Sequence, residues 1–379
     1  MTRLKSVLKD SLIQQVKLMP YCQKCGAKLA DDVQYCYNCG ALVAAPTTQL
    51  QRTCENSSRP PIHKNPRFIP VIVITIIALS ALVIAVVALA PLNTVNFNEQ
   101  NQIGPVGLNK LNLDFHADVG DIYIYTNLTG DDMIQMDVSA TGSTNIFSSD
   151  QPVKFNVQNS TANDTQMVTA TVSSQNIFPL SENLHVICNI YINPKADLTL
   201  NVHSDVGKVY MEAGSDTKIS SLTLEVTTGN TNLNLQKGTI VKGDLRVSTV
   251  TGIVWFSMDQ VDINKNVTLN LNSGVGSVEM IINQTQTFNG NLQVNAHTST
   301  GNVNLNQMLI DNEVAARIQS STGLGEIHVS MQNFNGLPSQ IQSNNFPSKC
   351  NINMNLDTGV GNINLKATYQ TLIEPALRV

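Results

Sequence analysis

A glycine-anchored repeat constrains the fold of this chain more than any other feature of its 379 residues. Each copy begins with apolar residues at alternate positions. About five residues later comes a residue, usually glycine, that we call the anchor, and two further alternating apolar residues follow it. From Gly207 onward, most anchors are 21 to 25 residues apart. The anchors are Gly120, Gly207, Thr231 (in place of a glycine), Gly252, Gly276, Gly301, Gly325 and Gly361. Such a step is typical of stacked repeats, and strict alternation predicts strands with one buried face.

The repeat predicts a mainly β domain over residues 108–379, built as a solenoid in which neighbouring copies complete one core. A glycine-containing corner lets the chain turn sharply between two short strands. The pattern is weakest between Gly130 and Leu184, and we expect residues 331–349 to form a loop inserted between the last two copies. A β-sandwich is the alternative, because the pattern itself establishes only short strands and a period.

An uncharged apolar segment, residues 68–90, separates two parts of opposite charge. A helix of this length extends about 34 Å, enough to cross a bilayer core. Residues 1–67 carry ten basic and four acidic side chains, whereas the rest of the chain is acidic. The positive-inside rule therefore predicts a single membrane-spanning helix with a cytoplasmic N-terminus and an external C-terminal domain. A buried helix or a late signal peptide is the alternative.

Four cysteines near the N-terminus have the spacing of a metal site. Cys22 and Cys25 form one CxxC pair, Cys36 and Cys39 form a second, and a glycine follows each pair. Two such turns present four thiolates to one tetrahedral ion, so we predict a structural Zn²⁺ site without an open catalytic position. Iron, a redox dithiol pair or two disulfides are the alternatives, and the predicted cytoplasmic side disfavours disulfides.

Residues 21–26 and 35–40, which contain these two pairs, resemble the small zinc-ribbon domains at the N-termini of many archaeal and bacterial membrane proteins. The resemblance covers about residues 20–42 and implies zinc as the bound metal. Zinc ribbons bind proteins or nucleic acids. Lys24 and Lys28 supply too little positive charge to favour nucleic acid, which leaves a cytoplasmic protein as the candidate partner of the ribbon.

The external domain resembles the putative-adhesin (DUF4097-like) family of surface domains. Residues 191–200 carry the resemblance, with an apolar strand, a Pro-Lys step and a second strand, followed by Gly207-Lys208-Val209. It spans about residues 108–367 and implies a right-handed, single-stranded β-helix at the cell surface. The molecular function of that family is unassigned, so the resemblance implies no reaction.

No catalytic constellation stands out in the external domain. Asp118 and Asp205 occupy equivalent places in two copies, and Asp121 is close in sequence, but most copies lack an acid there. Clustered carboxylates act as acid and base, or bind calcium, in polysaccharide enzymes. Because the pattern is not repeated, we predict a non-enzymatic protein. Four histidines lie in strand-like segments and are candidates for a stacked row or a metal row: His116, His203, His297 and His328.

The exposed positions of the repeat are mainly Asn, Ser and Thr, which predicts either a solvated face with asparagine ladders or a polar binding surface. Cys188 and Cys350 are expected to be two buried thiols, with a disulfide as the alternative. Five glycosylation sequons begin at Asn127, Asn159, Asn163, Asn266 and Asn283.

The sequence divides into six segments. They are a basic amphipathic or non-native start at 1–18, a zinc ribbon at 19–42, a linker at 43–67, a transmembrane helix at 68–90, a stalk at 91–107 and an adhesin-like β-solenoid at 108–379. This organisation predicts a cell-membrane protein anchored in the lipid bilayer that binds or scaffolds external proteins or glycans. The alternative is a transmembrane sensor whose ribbon binds a cytoplasmic partner.

Overall fold

The computed structural model describes residues 76–77, 79–80, 92–104, 109–145, 152–174 and 184–370. The chain divides into two compact units, Met1–Leu79 and Ser80–Val379. The predicted start segment, zinc ribbon and linker lie outside the described residues. Of the predicted membrane helix, only residues 76–77 and 79–80 are described, and all four are helical. Within the described residues, no helix has the length and apolar character needed to cross a membrane.

The described residues of the second unit contain 25 β-strands. The first twelve are β1 Leu92–Ile103, β2 Lys110–Val119, β3 Asp121–Tyr125, β4 Ile134–Asn145, β5 Val153–Ala162, β6 Thr165–Ser174, β7 His185–Ile192, β8 Asp197–Val206, β9 Val209–Ala213, β10 Lys218–Thr228, β11 Thr231–Leu235 and β12 Ile240–Val241. The others are β13 Leu245–Thr251, β14 Val254–Asp259, β15 Asp262–Ile263, β16 Val267–Val275, β17 Val278–Gln284, β18 Asn291–Thr300, β19 Val303–Asp311, β20 Val314–Leu324, β21 Ile327–Gln332, β22 Phe334–Leu337, β23 Gln340–Ser343, β24 Cys350–Val360 and β25 Ile363–Gln370.

These strands form two large sheets, which confirms the mainly β prediction. Sheet 1 has eleven strands in the order β1-β4-β7-β3-β9-β11-β14-β17-β19-β25-β21. Sheet 2 has fourteen, in the order β22-β23-β20-β24-β18-β16-β13-β10-β8-β2-β6-β5, with β12 and β15 paired beside β10. Inward-facing apolar side chains of both sheets belong to one hydrophobic cluster.

In the central region, β8 to β19, the long strands alternate between the two sheets. A strand of sheet 2 is followed by a strand of sheet 1, and each pairs in parallel with its counterpart about 24 residues later. Leu224, Val247 and Leu271 are successive partners in this register. We call two consecutive long strands, one from each sheet, a coil. Because the pairing register is the same from one coil to the next, residues with the same place in the repeat form rows across each sheet.

The strand order at both ends is not sequential. The last coil, β24–β25, lies between β18–β19 and β20–β21, although it follows both in the chain. At the other end, β2–β3 lies between β6–β7 and β8–β9. The predicted loop at 331–349 contains the hairpin β22–β23, which pairs antiparallel with β20. This hairpin covers an edge that would otherwise expose unpaired backbone groups.

Residues 92–103, placed in a stalk by the sequence, form strand β1. It pairs antiparallel with β4 along its whole length. Phe97 packs against the hydrophobic core, and Ile103 is buried. The apolar residues of β1 are spaced too sparsely among asparagines for their alternation to stand out in the sequence.

A column of glycines connects the coils at the corner between the sheets. Its members have φ angles from +137° to +149° and follow one another in the order Gly120, Gly207, Gly229, Gly252, Gly276, Gly301, Gly361 and Gly325. A Cβ on Gly276 would collide with the carbonyl of Gly252, so the column requires glycine for space as well as conformation. Gly229, not Thr231, is the anchor of its copy: Thr231 is buried and pairs with Val209 and Val254.

Buried hydroxyl groups accompany this column. At six of the eight anchors, the residue three positions earlier donates a hydrogen bond to the glycine carbonyl of the neighbouring coil, as in Thr249 to Gly229 (2.9 Å) and Thr298 to Gly276 (2.8 Å). Ser204, Ser273, Thr322 and Thr358 make the equivalent bond. These hydroxyls give the carbonyls of the glycine column a hydrogen-bond donor at the corner between the sheets.

Cys188 and Cys350 are both free and buried, which confirms two separate thiols. Burial raises the pKa of the Cys188 thiol to about 12, with a smaller contribution from Asp121. The Cys350 thiol donates to the carbonyl of Phe288 at 3.0 Å. The Cys188 thiol is therefore not in the reactive thiolate form at neutral pH.

Candidate functional site

The predicted zinc ligands Cys22, Cys25, Cys36 and Cys39 lie outside the described residues. Their chemistry fits the metal, since four thiolates supply a complete set of soft ligands for Zn²⁺. The described residues carry the other candidate sites, on the outward faces of the two sheets.

Asparagine ladders cover part of the outward face of sheet 2. The Asn295 side-chain amide donates to the Asn270 oxygen at 2.9 Å, and the Asn355 amide donates to Asn295 at 3.1 Å. Sheet 1 has the same arrangement between Asn364 and Asn304, at 2.6 Å. In these ladders, which the sequence predicted, each side-chain amide binds the next one along the row.

Two histidines and two aspartates form an ionisable cluster at one end of sheet 2. His116 on β2 is in register with His203 on β8, and the imidazoles stack with centroids 5.2 Å apart. The Nε2 atom of His116 lies 3.3 Å from Asp118 Oδ1, and that of His203 lies 2.9 Å from Asp205 Oδ1. The structure thus brings together Asp118 and Asp205, which the sequence placed at equivalent positions of two copies.

This cluster has the ligands for a divalent cation. One ligand atom each from His116, Asp118 and Asp205 lies within 4.8 Å of the other two. Asp118 also accepts a hydrogen bond from the Ser174 backbone N–H at 3.1 Å, which holds its carboxylate in place. Asp121 does not join this group, because its carboxylate accepts from the Lys208 N–H.

The predicted row of four histidines is limited to that pair. His297 lies on the same outward row, but Glu225 and the next two strands separate it from His203. Its Nδ1 is 2.8 Å from Asp357. A hydrogen bond from Ser321 and a weaker contribution from His297 outweigh burial and hold the pKa of Asp357 below its ordinary value. His328 lies on β21 of sheet 1, beside Glu326.

A tyrosine cluster on sheet 1 was missed from the sequence. Tyr123, Tyr125, Tyr191 and Tyr210 lie on adjacent strands with ring centroids 5.8 to 6.2 Å apart. The Lys208 ammonium lies 5.4 and 5.3 Å from the Tyr123 and Tyr210 centroids. Burial and a hydrogen bond to Glu212 raise the pKa of Tyr210 to about 12. Aromatic residues at outward positions of a chain with few aromatics were the available signal.

A polar cavity of about 530 Å³ on sheet 2 was also missed. Its lining comes from β16, β18, β24 and β20 and from the segment after β23. The lining residues are Asn266, Val267, Thr268, Asn291, Gln293, Arg317, Phe346, Pro347, Asn351 and Asn353. The order of the last coils assembles this cavity, and no local motif encodes that order.

Comparisons with known proteins give one family match and several structural neighbours. A zinc-ribbon domain family model matches residues 21–43. No curated protein matches the sequence. A putative cell adhesion protein from Clostridium sporogenes is similar at 15% identity and a TM-score of 0.39, over 73% of this chain and 100% of that chain.

Two further solved structures are similar at the same level. A putative adhesin from Bacteroides fragilis has 17% identity and a TM-score of 0.34, over 71% of this chain and 96% of its own. A putative lipid binding protein from Parabacteroides distasonis has 14% identity and a TM-score of 0.28, over 71% and 97%. All three TM-scores are below 0.5.

Proposed function

We propose that this chain is a membrane-anchored, non-enzymatic surface protein whose external β domain binds or scaffolds proteins or glycans. The observation that carries the proposal is the outward face of sheet 2, where neighbouring parallel strands repeat polar side chains in register. Strands about 4.8 Å apart present these groups as a rigid, mostly uncharged array. Such an array suits the recognition of extended polar ligands.

We further infer that the domain is a right-handed β-helix. The alternation of strands between two parallel sheets from β8 to β19 supports the coil, and the glycine column supports a repeated corner. The interleaved coils at both ends are departures from a sequential helix.

The proposal places the zinc ribbon in the cytoplasm and residues 68–90 in the bilayer. The charge difference across this segment and the family match at 21–43 support that arrangement. Cys22, Cys25, Cys36 and Cys39 would hold one structural Zn²⁺. The histidine–aspartate cluster receives no catalytic role, since the equivalent positions of the other coils do not repeat it.

Protease treatment of intact cells tests the topology. We expect the C-terminal part to be cleaved and a tag at the N-terminus to be protected until the cells are permeabilised. Cleavage of the N-terminal tag in intact cells would contradict the proposed orientation. A protein and glycan binding screen with the full-length chain in detergent tests the binding function, and absence of any ligand would reject it.

The effect of disrupting the zinc ribbon distinguishes the sensor alternative from a simple binding function. Changing Cys22→Ser together with Cys36→Ser should leave external ligand binding unchanged if the ribbon is only structural. Under the sensor alternative, ligand binding persists but the cellular response to the ligand is lost. Metal analysis of the two proteins checks that the change removes one zinc per chain.

A further inference from the structure

The cavity on sheet 2 contains a row of polar side chains that do not bind one another. Thr268, Gln293, Asn353 and Arg317 are in register across β16, β18, β24 and β20. Within the described part of the chain, no side-chain hydrogen bond links one member of this row to the next, unlike the asparagine ladder of Asn270, Asn295 and Asn355 two residues further along the same strands. The Gln293 amide donates to the neighbouring Asn295 at 3.1 Å, whereas the Gln293 side-chain oxygen, the Thr268 hydroxyl and the Asn353 amide have no side-chain partner among the described residues and are available to a ligand.

Arg317 is the cationic residue of the cavity lining, and its charge has no carboxylate partner within the described residues. Its buried Nε atom lacks a hydrogen-bond partner in the same part of the chain. The guanidinium Cζ lies 4.4 Å from the Phe346 ring centroid, which is a cation–π distance. A buried donor left unsatisfied is costly, and a planar guanidinium is suited to a bidentate carboxylate.

The rest of the lining is uncharged and consists of three asparagines with Val267, Phe346 and Pro347. The asparagines form a second row, in which the Asn291 amide donates to Asn266 at 3.2 Å and the Asn351 amide donates to Asn291 at 3.3 Å. No acidic side chain contributes to the described lining. Asn351 is anchored by Ser348, whose carbonyl accepts from its amide at 2.7 Å. Amides donate and accept, as sugar hydroxyl groups do, so this lining complements a hydroxylated ligand. The volume of about 530 Å³ lies within the range for small-ligand sites.

We propose that this cavity binds an acidic saccharide, with Arg317 pairing with a sugar carboxylate and Thr268, Gln293 and Asn353 contacting ring hydroxyls. The inference rests on the proposed surface-binding function and names the ligand class for one part of that surface. A neutral saccharide would leave Arg317 without a counter-charge.

Arg246 provides a matched control. It lies on the outward face of the same sheet, in register with Asn270, and pairs with Glu225 at 2.9 Å. It is outside the cavity lining. Replacing either arginine removes one positive charge from the same face, but only the Arg317 change alters the cavity.

The experiment is calorimetric titration of the full-length protein in detergent with a tetrameric oligogalacturonate. We expect the unchanged protein to bind the tetramer. Its affinity should be at least tenfold lower for the methyl-esterified tetramer, and the affinity of Arg317→Ala for the unmodified tetramer should also be at least tenfold lower. Arg246→Ala should bind as the unchanged protein does. Asn353→Asp, which is nearly isosteric and adds a negative charge beside Arg317, should also weaken binding at least tenfold. Unfolding midpoints of all variants check that the fold is retained.

Unchanged binding by Arg317→Ala, or equal binding of the ester, would overturn the proposal. Equal binding of tetra-aspartate would overturn the saccharide class. Binding of other glycans or proteins that does not depend on Arg317 would reject this site and leave the surface-binding function intact. Absence of any ligand in the wider screen would reject both.

Discussion

The central coils and the end coils are built from the same repeat but are assembled differently. From β8 to β19, each coil stacks on the one before it in the chain. At the ends, a coil is inserted between two others, and antiparallel strands pair beyond it. The difference shows that the repeat specifies how one coil fits against another but not which coil it meets. Segments outside the repeat, such as 331–349, allow the change of order.

The largest effect should come from filling the glycine column in the central region. Gly276→Ala places a Cβ against the Gly252 carbonyl at a φ of +141°, so we expect a loss of about 3 kcal/mol or more in unfolding free energy. Gly325→Ala makes the same collision with Gly361 in an end coil, where fewer strands resist a shift, and should cost less. Denaturant unfolding measures both.

Gly214→Ala is the control, since a Cβ there meets nothing within 4 Å. A small effect at Gly276, comparable with that at Gly214, would contradict the close packing of the column.

The hairpin at the C-terminal end tests whether an end cap shares the central core. Leu271 in the centre and Ile341 in β23 are both fully buried. Leu271→Ala and Ile341→Ala should each cost about 2 to 5 kcal/mol if both belong to one cooperative unit. A loss below about 1 kcal/mol at Ile341 would show that the hairpin unfolds separately from the central coils. Coincident transitions monitored by two spectroscopic probes provide the check.

The hydroxyl bonds beside the glycine column should have a smaller effect. Thr298→Val removes the donor to the Gly276 carbonyl and should cost about 1 kcal/mol. Thr300→Val, an exposed position two residues later, is the control and should change little. Equal stability of the two variants would mean that the buried hydroxyl is replaceable by a methyl group. Thermal unfolding at one pH is sufficient for this comparison.

The smallest expected difference between the central and end coils is in how the free energy of unfolding depends on pH. Burial would raise the pKa of Asp197, but hydrogen bonds from Lys242 and Ser220 and nearby positive charge hold it below its ordinary value of 3.8. A depressed folded pKa stabilises the fold above the unfolded pKa, and this contribution is lost as pH falls through the folded value. Asp197→Asn should therefore cost about 1 kcal/mol at pH 7, and this cost should shrink as the pH falls below the ordinary aspartate pKa of 3.8.

Asp357, at the C-terminal end, also has a lowered pKa, but its side chain is 49% exposed, against 21% for Asp197. Asp357→Asn should show a weaker pH dependence, because solvent screens its interactions. Unfolding measured between pH 2.5 and 7 tests the order of the two effects, and a stronger dependence at Asp357 would contradict it.

The sequence predicted the strands well, because alternation reports directly on which side of a strand is buried. Leu269, Leu271 and Val278 are all buried as that pattern requires. The repeat also predicted that His116 and His203 would be neighbours, since equivalent positions of two copies fall in register. The order of the end coils was not predictable in this way, because alternating apolar residues are chemically alike in every coil.

Two further features differ from the prediction or were missed by it: the anchor of one copy, which depends on a local contact, and the cavity, which depends on contacts between distant parts of the chain. Gly229 and Thr231 both fit the anchor position within the variation of the repeat. The close approach of Gly229 to Gly207 and the pairing of Thr231 with Val209 decide between them. The cavity unites Asn266 with Phe346, which are 80 residues apart. Its existence depends on β24 lying between β18 and β20, so it follows from topology rather than from a motif.

The interleaved C-terminal coil has a consequence for how the domain is synthesised. A ribosome delivers β20–β21 before β24–β25, yet the final neighbour of β18–β19 is the later coil. A nascent chain that ends before residue 350 therefore has no native partner for the outer edge of β18. The last step of folding must wait for the C-terminal strands, so the domain cannot be completed one coil at a time as it emerges.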